Sequence, residues 1–447
     1  MSKLANNIGW LSLEKIVRAL VGTVITIYVA NQIGTYNFGI YSLILSIFGI
    51  SLVISSMGIK SVIIKYFVTD EHNNTQLVLG GIIILFFGSS LISVLSIILL
   101  FFTDYFIGYE LLLVIYIFAF YANVISIFNF WFESKKIHKF NVFAGLASFI
   151  FFSIFKVLCI YFDLNIIYLF ASIGLEFILQ AIIIIFIFYK RNKENFLQKI
   201  NKGKIRFGFN KILILNLFKE SLPYWITASI VMINIRIDQY LLAYMLSVES
   251  VAIYSIAARF AEFLWIIPVI ICSSIFPILI DLYDKSEKKE FYEYIKNILG
   301  FLYIIAFILS IFLFASSGII IDSFFGLEYK ESAIVMSILA FSIIPLALGS
   351  VGSQYIVIKK FGIHNIYRSL VALTTNVLFN IVLIPNYGTI GAAIALLISQ
   401  FSSSFLIDLF FLQTRKLFFL KLYTLNPIYS FKRFYRFIFI NKELLRF

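Results

Sequence analysis

Two apolar helices near the middle of the chain carry four charges that a hydrophobic segment does not ordinarily hold. Within residues 223–280, Arg236 and Asp238 lie in the first helix, Arg259 and Glu262 in the second. A charge near the centre of a membrane helix costs about 2.5–3.5 kcal/mol on insertion scales, and it usually faces a cavity or a partner. The planar fork of arginine suits a phosphate or a carboxylate. A buried carboxylate suits the uptake of a proton or a small cation.

Residues two apart on a helix do not face each other, so Arg236 and Asp238 belong to different sides. Thr227, Asn234 and Asp238 form one polar stripe, and Ser229, Arg236 and Tyr240 form another. In the next helix Ser255, Arg259 and Glu262 share a face, and the spacing of three places Arg259 to pair with Glu262. The functional reading has one stripe facing a cavity. The plainer one makes these groups interhelical locks or a buried structural salt bridge.

The remaining intramembrane charges are more scattered. Lys15 and Arg18 share a face with Gly22 and Thr26, and Glu14 reaches Arg18 at i,i+4. A snorkelling cytoplasmic helix end is the plainer account of both bases. Lys156 stands in the outer part of its span. Glu176, striped with Ser172 and Gln180, is the first half's best carboxylate for a proton or cation relay. Ser369, Asn376 and Asn380 form an uncharged stripe of the kind that packs helices. Asp408 reads as interfacial. Ordered by depth, the cations run from Lys15 and Arg18 through Arg236 to Lys156 and Arg259. Such stepping stones suit an acidic or phosphate-bearing substrate, because a bare anion in hydrocarbon is prohibitively costly.

The elements that must position these residues are membrane helices. The 447 residues are 61% hydrophobic and 13% charged, about half the charge of a soluble domain. Apolar runs of 18 or more recur throughout, each long enough to cross about 30 Å of hydrocarbon. The expected fold is an all-α integral membrane protein with about twelve spans, near 9–33, 39–59, 77–102, 110–132, 142–162, 165–189, 221–246, 251–280, 296–320, 332–358, 363–384 and 388–412. Most of the 36 basic residues fall in alternate connections and the tail, whereas Asp104, Asp163, Glu249, Asp322, Glu328 and Glu331 mark the others. By the positive-inside rule both termini are cytoplasmic.

The polar stretch after span six divides the chain into a six-helix bundle (1–189), a basic cytoplasmic linker (190–220), a second six-helix bundle (221–412) and a basic cytoplasmic tail (413–447). Phe38-Gly39-Ile40-Tyr41-Ser42 is echoed by Val251-Ala252-Ile253-Tyr254-Ser255 at the matching place in the second half. Two halves of like orientation imply parallel repeats with a substrate site between them.

The net charge of +13 follows from the loop bias and needs no nucleic-acid partner. Cys159 and Cys272 lie in separate spans, and the three histidines do not cluster, so neither a disulfide nor a metal site is expected. There is no P-loop sequence and no selectivity-filter sequence. Every external connection is short, which disfavours a membrane polymerase with a catalytic loop.

Four stretches together resemble one family. RIDQYLLAYMLSVESVAIYSIAARFAEFLWIIP from Arg236 resembles the central signature of bacterial polysaccharide repeat-unit flippases of the Wzx type. FGIYSL at 38–43 is similar to their first-half counterpart, FGLEY at 325–329 to an external turn, and IPNYGTIGAAIALLIS at 384–399 to the last hairpin. The resemblance implies the multidrug/oligosaccharidyl-lipid/polysaccharide exporter superfamily, with two six-helix bundles around a central cationic cavity. It implies no enzymatic activity. Transport of an undecaprenyl-pyrophosphate-linked oligosaccharide to the outer leaflet of the bacterial cytoplasmic membrane, by alternating access, is what it leads one to expect.

Arg236, Asp238, Arg259 and Glu262 occupy the family's charged pattern; Lys15 and Arg18 follow only a looser basic tendency. Arg18, Lys15, Lys156, Arg236 and Arg259 are then the anion-binding candidates, with Asp238, Glu262 and Glu176 as coupling or structural charges. No cofactor is implied beyond coupling to protons or sodium. Partners would be the lipid-linked oligosaccharide, membrane lipid, a polymerase and a chain-length regulator, for O-antigen or capsule assembly. The rivals are a multidrug/cation antiporter of the same superfamily and a polysaccharide polymerase.

Overall fold

A computed structural model describes residues 3–69, 74–102, 110–201, 210–285 and 288–440. Asp104 and the linker bases Lys202, Lys204 and Arg206 lie outside them. The helices in chain order are α1 (Lys3–Ser55), α2 (Ile59–Thr69), α3 (Asn74–Phe102), α4 (Glu110–Ala122), α5 (Ser126–Ser134), α6 (Lys139–Tyr161), α7 (Ile166–Asn201) and α8 (Lys211–Met245). They continue with α9 (Val248–Asp284), α10 (Lys288–Phe324), α11 (Glu331–Ala340), α12 (Ile343–Ile358), α13 (Ile363–Phe401), α14 (Ile407–Phe410), α15 (Leu412–Thr424) and α16 (Pro427–Ile440). No strand occurs among the described residues.

Among the described residues, ten continuous segments are apolar and long enough to span a membrane, against the twelve expected. The difference lies in two of them. Ser12–Thr69 and Ile363–Phe410 run for 58 and 48 residues, or roughly 87 and 72 Å of helix, far beyond about 30 Å of hydrocarbon. Each is broken at a glycine with positive φ: Gly34 (φ 75°, ψ 167°) and Gly388 (φ 59°, ψ −135°). Only glycine visits these regions without strain. At Gly388 the chain doubles back. Ser399 Oγ donates to the carbonyl of Ala372 at 2.8 Å, and a Cβ on Gly391 would stand 2.4 Å from the carbonyl oxygen of Leu383. Each long segment therefore holds two spans.

The chain divides into two compact units that do not follow the halves in chain order. One holds residues 1–29 and 44–232; the other holds 30–43 and 233–447. The FGIYSL stretch thus sits with the second unit, where Gly39 lies so close to Val248 that an added Cβ would meet its carbonyl. Tyr329 of FGLEY donates to the Ala30 carbonyl at 3.1 Å and meets the Phe38 ring edge-on.

The first unit has an apolar core in which Met57, Ile63 and Phe67 pack with Leu85, Ile127 and Leu217. In lipid, helices associate through close packing and interhelical hydrogen bonds, with small residues at the contacts. Gly88 lies against the Ser55 carbonyl, and Ser89 Oγ donates to the Phe120 carbonyl at 2.7 Å. At the α1–α2 turn, Gly58 (φ 63°) leaves room for the Trp225 backbone, whose indole donates to the Ile54 carbonyl at 2.9 Å.

In the second unit, Asp408, expected near the interface, is enclosed by protein, and Arg368 is buried beside it. Asp408 Oδ2 accepts from Arg368 Nη2 at 3.0 Å and from Lys421 Nζ at 2.8 Å, with all three side chains under a tenth exposed. The tail accounts for the difference: α15 folds back along the end of α13–α14 and covers them. Gly352 on α12 makes room for both cations, since a Cβ there would meet Arg368 and Lys421 at 2.5 and 2.6 Å. Burying two cations with one carboxylate leaves an excess charge, and the carbonyl oxygen of Ser404 accepts from Lys421 at 2.6 Å to offset part of it. Desolvation by burial and the neighbouring Arg368 push the Lys421 ammonium down to about 7.

Candidate functional site

In the first unit, Arg18 is engaged on three sides. Its Nε donates to Glu14 Oε1 at 3.1 Å, Nη1 to Glu176 Oε1 at 3.0 Å and Nη2 to the Gly145 carbonyl at 2.8 Å. The guanidinium also lies 5.0 Å from the centroid of Phe149. Gly145 is what permits this, because a Cβ there would meet Glu14 and Arg18 within 3 Å. The i,i+4 contact with Glu14 was legible in the spacing; the contact with Glu176, on α7, was not. One guanidinium shared by two carboxylates ties α1, α6 and α7 together and carries net negative charge.

Lys15, next to Glu14 in the chain, is exposed and forms no ion pair among the described residues. Lys156 is buried on α6, eleven residues beyond Gly145 and thus roughly 16 Å along the helix. It takes no part in the Arg18 cluster.

Beside the Arg368–Asp408–Lys421 group, the second unit holds two further charge arrangements. In the first, Arg236 Nη1 and Nη2 donate to Glu262 Oε1 and Oε2 at 3.0 and 3.4 Å, fork to fork. The expected Arg259–Glu262 pair is not formed. Glu262 reaches across to α8, where the bidentate geometry of Arg236 is open to it, and Arg259 is left half-buried with no ion pair among the described residues. Two guanidinium groups and one carboxylate sum to a net positive site.

In the second arrangement, Asp238 is fully buried. Tyr254 donates to its Oδ2 at 2.8 Å and Asn380 Nδ2 donates to its Oδ1 at 2.7 Å. Asn380 also donates to Asn376 Oδ1 at 3.0 Å, and Asn376 Nδ2 donates to the Asn234 carbonyl at 3.2 Å. The Oδ1 atoms of Asn234 and Asn380 have no hydrogen-bond partner. A carboxylate with two buried amide oxygens lacking donors is a chemistry for a proton or a small hard cation. Asp238 and Arg236 thus serve different sides of α8, as their spacing requires.

On spacing alone, Asn376 and Asn380 belong to a packing stripe and Tyr254 to a repeat echo. The available signal was the matched i,i+4 spacing of Asn376–Asn380 and Asn234–Asp238, two polar stripes able to face each other. Nothing local to Arg368, Asp408 or Lys421 marks their convergence, which depends on the tail folding back.

Residues 4–283 match the family model described as polysaccharide biosynthesis protein. An uncharacterized membrane protein of Methanocaldococcus jannaschii is 24% identical over 428 residues, covering 89% of this chain and 82% of that one. The capsular polysaccharide biosynthesis protein CapF of Staphylococcus aureus is 26% identical over 210 residues, 46% of this chain and 52% of that protein. Among solved structures, an inward-facing multidrug resistance MATE family transporter of the MOP superfamily superposes with a TM-score of 0.62 at 14% identity, covering 93% of this chain and 99% of that one. The eukaryotic MATE transporter AtDTX14 does so at 0.60 and 12%, covering 94% and 98%. The fold is that of these transporters.

Proposed function

Because the chain belongs to the polysaccharide biosynthesis protein family, we propose that it is a flippase. Its substrate would be an undecaprenyl-pyrophosphate-linked oligosaccharide repeat unit, moved by alternating access from the cytoplasmic to the outer leaflet of a bacterial cytoplasmic membrane for capsule or O-antigen assembly. The observation that carries this reading is Arg259, a half-buried guanidinium inside a membrane helix with no carboxylate partner among the described residues. Such a charge is costly in lipid unless an anion meets it, and a pyrophosphate accepts its fork through two oxygens.

Arg236, on the neighbouring helix, has its charge largely answered by Glu262. Lys15, exposed near the cytoplasmic end of α1, is suited to first capture of the headgroup, and Lys156 to a deeper contact. Arg18, already shared by two carboxylates, is the weakest of the anion-binding candidates. Asp238, with Tyr254, Asn380 and Asn234 around it, is the candidate for coupling to a proton or sodium gradient. A polymerase and a chain-length regulator would receive the flipped unit.

A drug/cation antiporter is the second reading, favoured by the MATE fold. The test is the leaflet distribution of lipid-linked repeat units in cells with and without the protein, read by a membrane-impermeant label on spheroplasts. Depletion should trap intact units inside. Units that reach the outside but stay unpolymerised would point to a polymerase. Unaffected units together with new drug sensitivity would point to the antiporter.

A further inference from the structure

The helix α16 is amphipathic twice over. One face packs on α10: Arg433 Nη1 donates to Glu293 Oε2 at 2.6 Å and to Asn297 Oδ1 at 3.2 Å. Phe301 meets Phe437 at 4.5 Å and Phe434 at 5.3 Å between centroids. Gly300 permits the approach, since a Cβ there would stand 2.4 Å from that of Arg433. The opposite face is also apolar, and the described residues leave it largely uncovered. Ile428, Phe431, Tyr435 and Phe439, at spacings of three and four, are between 48% and 71% exposed. Lys432 and Arg436, both exposed, edge this stripe on one side.

Between the two helices runs a cavity of about 400 Å³, walled by Tyr303, Ile304 and Phe307 of α10 and by Ile428 and Phe431 of α16, with Lys432 contributing to its lining. Its depth follows from helix length. The 37 residues of α10 extend for roughly 55 Å, about 25 Å more than a 30 Å hydrocarbon layer, and the charged residues from Lys289 to Lys296 place most of that excess at its first end. Tyr303 is fifteen residues into α10, where the helix enters hydrocarbon from the side that the basic loops mark as cytoplasmic.

We propose that this cavity is a binding site for an anionic phospholipid of the cytoplasmic leaflet, one acyl chain lying between Phe307 and Phe431 and the phosphate meeting Lys432 and Arg436. The apolar lining excludes a polar occupant, and a lysine at the level of the headgroups selects for negative charge. An anionic cytoplasmic leaflet attracts basic juxtamembrane segments in the same sense. The outward stripe of α16 is then its contact with the surrounding lipid, and the helix runs antiparallel along α10, from the level of Phe307 at Phe431 to that of Tyr294 at Phe437.

The experiment uses the full chain in detergent, titrated with phosphatidylglycerol, phosphatidylcholine or undecaprenyl phosphate, with bound lipid counted by native mass spectrometry. The wild type should retain phosphatidylglycerol in preference to phosphatidylcholine. Lys432→Gln with Arg436→Gln should weaken that retention by about five-fold for each charge removed. Ile304→Trp, filling the cavity from α10, should lower it with both charges present. Lys330→Gln, on the opposite side of the membrane, should change nothing. Equal retention of the two phospholipids, or a double variant that binds as the wild type does, would overturn the proposal. So would retention of undecaprenyl phosphate alone, which would make the cavity part of the substrate path.

Discussion

Glu262 lies one turn from Arg259 on the same helix, yet it meets Arg236 on the neighbouring one, at 3.0 and 3.4 Å through both oxygens. Both side chains of this pair are about a fifth exposed. Removing one leaves the other poorly solvated, at a cost of about 1–3 kcal/mol. Arg236→Ala should therefore lower membrane abundance and thermal stability. The exchange Arg236→Glu with Glu262→Arg should recover both. An exchanged protein as unstable as the single variant would show that the pair is not what holds α8 to α9.

Arg259 answers differently. With no ion pair to lose, Arg259→Gln should leave the melting temperature within about a degree while reducing transport at least ten-fold in the spheroplast label assay. Arg259→Lys should restore only part of it, because an ammonium cannot engage two phosphate oxygens as the fork does. A fall in abundance matching the fall in transport would return Arg259 to a structural role.

At Asp238 the neutral isostere separates coupling from folding. Asp238→Asn keeps the volume and a group able to meet Tyr254, but it cannot lose a proton or neutralise a cation. The variant should remain folded and lose whatever stabilisation sodium or a shift in pH gives the wild type, read as the change in melting temperature between sodium and choline buffers. Wild type and variant responding alike would remove Asp238 from coupling.

These two sites were unequally legible. The four charges of α8 and α9 stood out because hydrocarbon makes any charge conspicuous, and helical spacing separated Arg236 from Asp238 correctly. The partner of Glu262 was not legible, since i,i+3 spacing permits a contact that an interhelical fork can outcompete. The twelve spans were legible from hydropathy, and the two long helices that merge pairs of them were divided only by the backbone at Gly34 and Gly388. The burial of Arg368 and Asp408 was not legible, because it depends on a tail whose own composition reads as solvated.

The hairpin at Gly388 gives a backbone prediction. Gly388→Ala places a side chain at φ 59° and ψ −135°, a region reserved for glycine, at about 1–3 kcal/mol. Space is not the obstacle, since the nearest side-chain atom, on Leu246, is 3.9 Å away. The variant should melt lower, and Gly388→Asn, no better suited to this region, should not rescue it. A melting temperature equal to wild type would mean that the two halves of α13 can turn without this conformation.

The buried Arg368–Asp408–Lys421 group predicts how the tail responds to pH. Below about pH 7 the Lys421 ammonium is charged whether the tail is docked or free. Between about 7, where burial holds it, and its ordinary value near 10.4, the free tail keeps a proton that the docked tail has released. Docking therefore strengthens as pH rises through that window and is weakest below it. Amide exchange across residues 412–424, corrected for the intrinsic rate, should show more protection at pH 9 than at pH 6.5. Lys421→Met should abolish the difference and leave Asp408 paired with Arg368 alone. Asp408→Asn should do the opposite, stranding two buried cations at a cost of about 3–5 kcal/mol and opening the tail at every pH. Protection that falls with rising pH in the wild type would mean that the charged ammonium, held by Asp408 and the Ser404 carbonyl, is the form that docks.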